Sequence, residues 1–397
     1  MLLSLSIIIL SSLFMSAIFT KLNIPRIIGI LCTGIIIGPY VLDLIAPEIL
    51  VISTDLRQVA LIVILVRAGL SLDLKDLKKV GKPAILLSFI PATFEMIGIT
   101  LLAPLFFDIT YLEAAIMGSI VAAVSPAVVV PRMIELMKHH KGQKHQVPQL
   151  ILAGASLDDI YVIVLFMSFI QAKQNGSFQW TNLLMIPVSI LSGAILGFVT
   201  GRLIAYAFKK YHMRDTIKVL MMFSFAFLFV TLEQVIKDII PISGLIAVIA
   251  FGIAILKHHE ILAKRLIGKF EKIWVIAEIM LFVLVGAALN PSLAIETGFQ
   301  AIILICLALL IRTLGVWLAV WPSQLTKSEK IFVSISYLPK ATVQAAIGAI
   351  PLSLGISGGD VILSVAVVSI LITAPLGAIL MDHLANKLLS EPSSLPI

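Results

Sequence analysis

The chain has 397 residues, 60% of them apolar and only 13% charged, about half the charge that a soluble domain carries. That composition excludes an ordinary soluble enzyme, and apolar blocks of about 20 residues match the length that crosses a hydrocarbon core. The net charge of +7 is no nucleic-acid signature, because lysines and arginines sit in short loops between apolar blocks rather than on an aromatic-rich basic surface.

Taken in order, the blocks predict an all-α polytopic membrane protein with thirteen spans, at about 2–20, 24–45, 54–73, 83–106, 111–137, 148–171, 181–208, 216–236, 240–257, 273–290, 298–321, 329–351 and 360–385. The first block lacks a basic leader and a small-x-small cleavage site, so it reads as a retained span rather than a signal peptide. Cys32 and Cys306 both fall inside apolar blocks and give neither a disulfide framework nor metal-site spacing. No phosphate-binding glycine loop, HExxH or CxxC motif appears, and no cofactor is expected.

Loops after odd-numbered spans are basic: Lys21 and Arg26; Lys75, Lys78, Lys79 and Lys82; Arg132, Lys138, Lys141 and Lys144; Lys209, Lys210 and Arg214; Lys257, Lys264, Arg265, Lys269 and Lys272; Lys327 and Lys330; and Lys387. Loops after even-numbered spans are poor in base. The bias predicts an external N-terminus and a cytoplasmic C-terminus in the cell membrane. It also puts the seven histidines on the cytoplasmic side, in loops or tails, within reach of cytoplasmic pH.

A weak repeat runs at an offset of about 216–217 residues. "ILVRAGLSLD" (64–73) aligns with "LFVLVGAALN" (281–290), pairing Val66 with Val283, Gly69 with Gly286 and Leu72 with Leu289. The copies lie seven spans apart, an odd number, so the second is inverted in the membrane. Inverted repeats around a mid-membrane site are a transporter architecture.

Ionisable groups far from any loop are functional candidates. These are Glu95, Asp158, Asp159, Arg312 and Lys340; Arg57, Arg67, Glu233 and Glu278 lie nearer span ends. Arg312 stands 217 positions after Glu95, so the two occupy equivalent places in the repeats and are expected to form a buried core pair. Pro126 in "AAVSPAVVVP" (122–131) and Pro339 in "SYLPKATVQAAIG" (336–348) interrupt two apolar runs at matching places. Proline removes a backbone donor, and irregular backbone at membrane depth is tolerated where it lines a cavity, so two crossed discontinuous helices are expected. Adjacent helical residues point about 100° apart. In "GASLDDIYVIVLF" one of Asp158 and Asp159 can therefore pair with a fixed cation while the other faces a cavity. Ser156 and Ser125, with freed carbonyls, would complete an all-oxygen site for a hard cation.

"ASLDDI", "VSPAVVVP" and "LPKATVQAAIG" together resemble the cation/proton antiporter superfamily, specifically its two-aspartate branch of NHA-type sodium/proton antiporters and bacterial NapA. The resemblance spans nearly the whole chain and implies an NhaA/NapA-like fold and a homodimer. It implies a core domain over about 83–171 and 298–385, a dimerisation domain mainly over 1–73 and 216–290, and a linker helix over 181–208. It also implies that Na⁺ (or Li⁺) and protons compete for Asp159, with Asp158 beside it and Lys340 on the second broken helix. Arg312 stands where many members carry a lysine paired to the first aspartate. This departure leaves the cationic partner of Asp158, with Lys340 a candidate, and the electrogenicity of exchange open. A K⁺/H⁺ antiporter and a cation channel are the alternatives. An intramembrane aspartyl protease, with carboxylates on separate helices, does not fit adjacent acids.

Overall fold

The structure is a computed structural model that describes residues 1–71, 81–174, 180–236 and 242–389. The side chains of Ser156, Gln234 and residues 180–187 fall outside the description, as do the loop residues Lys75, Lys78 and Lys79 used above for orientation. All regular structure among the described residues is α-helical. In chain order the helices are α1 (Leu2–Lys21), α2 (Arg26–Ile37), α3 (Pro47–Val51), α4 (Ser53–Ser71), α5 (Lys82–Leu87), α6 (Ile90–Phe106), α7 (Tyr111–Val121), α8 (Pro126–Lys138), α9 (Val147–Gln174), α10 (Trp180–Lys210), α11 (Asp215–Ile236), α12 (Gly244–His258), α13 (Glu260–Ala288), α14 (Pro291–Ala319), α15 (Lys327–Ser336), α16 (Thr342–Ile347), α17 (Ile350–Ser353) and α18 (Gly359–Leu388).

Among the described residues, eight helices or helix pairs are long and apolar enough to cross a membrane, and three further apolar helices are shorter: Arg26–Ile37, Gly244–His258 and Thr342–Ser353. The protein is thus multi-pass, but length and apolarity do not carry the full count of thirteen crossings. Two expected boundaries move. The second span was expected to reach about 45, whereas α2 ends at Ile37, where Gly38 turns to extended backbone. The tenth span was predicted to start near 273 after a basic loop, whereas α13 starts at Glu260, directly after α12. The reason is amphipathic: Leu262, Ala263, Leu266 and Phe270 are fully buried at helical spacing. The charges between them lie on the helix surface, with Lys264 2.7 Å from Glu260 and Arg265 2.9 Å from Asp215.

The chain divides into two compact units, Met1–Ser53 with Asp76–Ile170 and Phe282–Ile397, and Thr54–Lys75 with Gln171–Leu281. In the first unit, glycines set the close approaches. A Cβ on Gly286 would meet the Leu31 carbonyl, and one on Gly34 the Val283 backbone. A Cβ on Gly98 of α6 would meet Ile311, and one on Gly315 of α14 the backbone of Pro91. The broken helices begin alike. Thr110 and Glu113 form a capping box at the start of α7, and Thr326 and Glu329 form the same box at the start of α15, 216 positions later.

In the second unit, Gly193, Gly197 and Gly201 of α10, four residues apart, lie against Ser243, Ala247 and Phe251 of the α12 segment, also four apart. Small residues at this spacing let helix backbones touch in a membrane. Gly69 lies against the Ile249 carbonyl. Gly69 and Gly286, aligned by the repeat, thus do the same job, each receiving the backbone of a neighbouring helix.

Candidate ion site

The site forms in the first unit where two interrupted helices meet. The expected interruptions are full breaks. α7 stops at Val121 and α8 starts at Pro126, with Ser125 in the N-cap position. Proline suits a first helical position because its missing N–H has no partner there anyway. α15 stops at Ser336 and α16 starts at Thr342, with Pro339 between them. The Pro339 ring seats on Gly377 of α18. One turn earlier on α18, Thr373 Oγ1 accepts the backbone N–H of Lys340 at 2.9 Å. The two breaks are bonded directly, Ser125 N–H to the Pro339 carbonyl at 2.8 Å.

Around this junction the structure brings together four of the five deep charges in ion pairs. Gly98 and Gly315 draw α6 and α14 close, which sets Glu95 and Arg312 face to face. Arg312 Nη1 donates to Glu95 Oε2 at 2.5 Å and to the Ala122 carbonyl in the first break. Arg312 Nη2 lies 3.5 Å from Asp158 Oδ2, and the guanidinium stacks 5.4 Å from the centre of the Tyr337 ring. Lys340 Nζ donates to the same Glu95 oxygen at 2.6 Å. Asp158 Oδ2 also accepts the Val124 N–H at 2.7 Å. All four charged side chains are buried. Lys340 thus pairs with Glu95, while Asp158 faces Arg312.

Two acids against two bases leave this set balanced. Asp159 is the fifth charge. Among the described residues it forms no ion pair; it is 8% exposed and its buried Oδ1 has no hydrogen-bond partner. Ser125 Oγ and Thr342 Oγ1 are likewise buried without a partner. No cluster of three or more His, Cys, Asp or Glu that could hold a resident metal occurs among the described residues. The charges nearer span ends have local partners in the second unit. Glu233 accepts the Gly244 N–H at 2.8 Å, and Arg67 lies 3.9 Å from Glu271. Of the seven histidines, His258 and His383 lie on helices, and His145 is 2.8 Å from Glu329.

The sequence reading missed Tyr337, Thr373, Gln344 and the glycine pair. Gly98 and Gly315 were accessible through the same 217-residue offset as Glu95 and Arg312. Gly154, four residues before Asp158, makes room for the Tyr337 hydroxyl. No local motif announces that contact.

Two broken helices joined at a buried, charge-balanced cluster define a secondary-transporter architecture. The comparisons narrow the class. The family model described as "Sodium/hydrogen exchanger, transmembrane" matches residues 8–387. Human sodium/hydrogen exchanger 9B2 is 34% identical over 93% of this chain and 70% of its own length. Human sodium/hydrogen exchanger 9B1 is 30% identical over 87% and 69%. The structure of the sodium proton antiporter MjNhaP1 from Methanocaldococcus jannaschii at pH 8 shares the fold, with TM-score 0.81 and 19% identity over 98% of this chain and 99% of that one. The chain belongs to the sodium/hydrogen exchanger family, within the cation/proton antiporter superfamily, and is a transporter rather than an enzyme.

Proposed function

We propose that this protein exchanges Na⁺ or Li⁺ for protons by alternating access, with Asp159 as the carboxylate for which ion and proton compete. One observation carries the reading: Asp159 is the deep carboxylate left without a cation when Asp158, Glu95, Arg312 and Lys340 pair among themselves. A buried carboxylate with no counter-ion must take up a proton or a cation. Asp158 and Lys340 tune it, and Ser125 lines it. Residues 83–171 and 298–385 act as the moving core, 1–73 and 216–290 mainly as the dimerisation domain and 181–208 as the linker of a homodimer. The chain sits in the cell membrane, N-terminus outside and C-terminus in the cytoplasm, and needs no cofactor.

The test uses purified protein in liposomes with an imposed pH gradient and a pH-sensitive dye. Na⁺ and Li⁺ should dissipate the gradient in wild type and not in Asp159→Asn. Dissipation by K⁺ alone would change the ion and keep the mechanism; Na⁺-driven flux that survives Asp159→Asn would remove the assignment.

A further inference from the structure

An interrupted helix must dispose of every backbone group that the missing turn would have satisfied. Across the first break several of those groups can be traced singly. In a continuous helix Val124 N–H would donate to the Ile120 carbonyl and Ser125 N–H to that of Val121. Here the Val124 N–H goes to Asp158 Oδ2 at 2.7 Å and the Ser125 N–H to the Pro339 carbonyl at 2.8 Å. The Ala122 carbonyl would have met residue 126, a proline with no N–H, and it accepts from Arg312 instead. Among the other carbonyls that lose their helical donors are those of Ile120, Val121 and Ala123. One side chain faces all three: Gln344 Nε2 on α16, with two N–H groups to share among them, lies 3.0, 3.2 and 2.9 Å from these oxygens. Gln344 is fully buried. The three acceptors also fix its amide orientation, because the flipped amide would set its own oxygen against three others.

We infer that Gln344 is a positioning residue that holds the first helix open, and so keeps the Val124 N–H on Asp158 and the Ser125 hydroxyl at the junction. The inference rests on the proposed cation/proton exchange at Asp159. The competition is local. Without the Gln344 amide, the Ile120 and Val121 carbonyls are buried acceptors whose donors in a continuous helix would be the Val124 and Ser125 N–H groups. Rewinding by one turn satisfies both, and it withdraws the two donors from Asp158 and Pro339. Gln344 therefore acts on ion affinity through the backbone of the other broken helix, without being required to touch the ion.

Gln344→Leu keeps the approximate volume and removes the donors. A net hydrogen bond contributes on the order of 1 kcal/mol, so loss of the open geometry is expected to raise the apparent KM for Na⁺ about fivefold or more, with maximal flux changed less. Gln344→Glu supplies a donor only when protonated. The affinity advantage of Gln344→Glu over Gln344→Leu should therefore be present at acid pH and vanish at alkaline pH. Dividing one variant by the other cancels the pH dependence of Asp159 itself.

Hydrogen–deuterium exchange provides a readout independent of transport: the Val124 and Ser125 amides should exchange at a different rate in Gln344→Leu while α7 is unaltered. An unchanged KM in Gln344→Leu, or a pH-independent ratio between the two variants, overturns the inference. Failure of Leu, Glu and Asn variants alike to fold overturns it in favour of a purely structural role. If wild type moves no Na⁺ against protons, the exchange reading fails instead, and unaltered exchange at these two amides then decides against Gln344 separately.

Discussion

Arg312 reaches Glu95 at 2.5 Å although 217 residues separate them in the chain. Each stands three residues from a glycine, Gly98 or Gly315, at which its helix meets the other. The repeat therefore supplies both the charges and the close approach that brings them into contact.

Glu95 Oε2 accepts from Arg312 and Lys340 together. Glu95→Gln would leave two buried cations facing the single carboxylate Asp158. Breaking a buried pair by removing one partner costs about 3–5 kcal/mol, so thermal unfolding in detergent should drop well below wild type. Glu95→Gln with Lys340→Met removes one acid and one base and should recover part of the loss. A single variant that melts with wild type would show that this charge set does not hold the bundle.

Lys340→Met alone removes one of the two cations in the set. Carboxylates with less positive charge nearby hold their protons to higher pH. The pH profile of Na⁺-driven proton flux in liposomes should move in the alkaline direction. A superimposable profile would exclude Lys340 from the proton chemistry.

Leucine at Gly98 or Gly315 would drive α6 and α14 apart, because Ile311 and the Pro91 backbone occupy the space. Overpacking of this kind costs about 1–3 kcal/mol, and both variants should also lose exchange by separating Glu95 from Arg312. Gly298, on the same α14, has nothing within 4 Å of an added Cβ. Gly298→Ala should instead gain about 0.5–1 kcal/mol from helix propensity. Melting curves of the three variants, with equal losses or gains throughout, would refute the distinction.

His259, between α12 and α13, is held below the ordinary histidine range by burial and then by Lys209, Lys218 and Arg265. A base whose folded form resists protonation costs stability as pH falls through its unfolded value of about 6.5. Above that pH both states are neutral and the site has no effect. Thermal unfolding of wild type at about pH 7.5 and about pH 5.5 should differ more than that of His259→Gln. Equal differences would mean that His259 does not contribute to the acid sensitivity.

Much of the site was legible because membrane burial makes charge conspicuous. Glu95, Asp158, Asp159, Arg312 and Lys340 stand out in apolar runs, and the 217-residue offset couples Glu95 to Arg312 before any coordinates. Which base faces which acid was not legible. Lys340 was a candidate partner for Asp158, and it lies on Glu95, because the N–H of Lys340 is pinned by Thr373 and its proline neighbour by Gly377. The early start of α13 was missed because a charged segment between two apolar blocks reads as a loop, although its buried positions recur at helical spacing.

By itself the sequence determined the membrane class, the 217-residue repeat, the two interruptions and the inventory of deep charges. These depend on local composition, on proline's missing N–H and on a periodicity that survives at a fixed offset. Only the tertiary structure decided that Val124 N–H serves Asp158, that the carbonyls freed from α7 are taken by Gln344 and that Asp159 is the acid left over. Hydrogen bonds in a low-dielectric interior go to whichever donor or acceptor is within reach, and reach is set by how helices far apart in the chain pack.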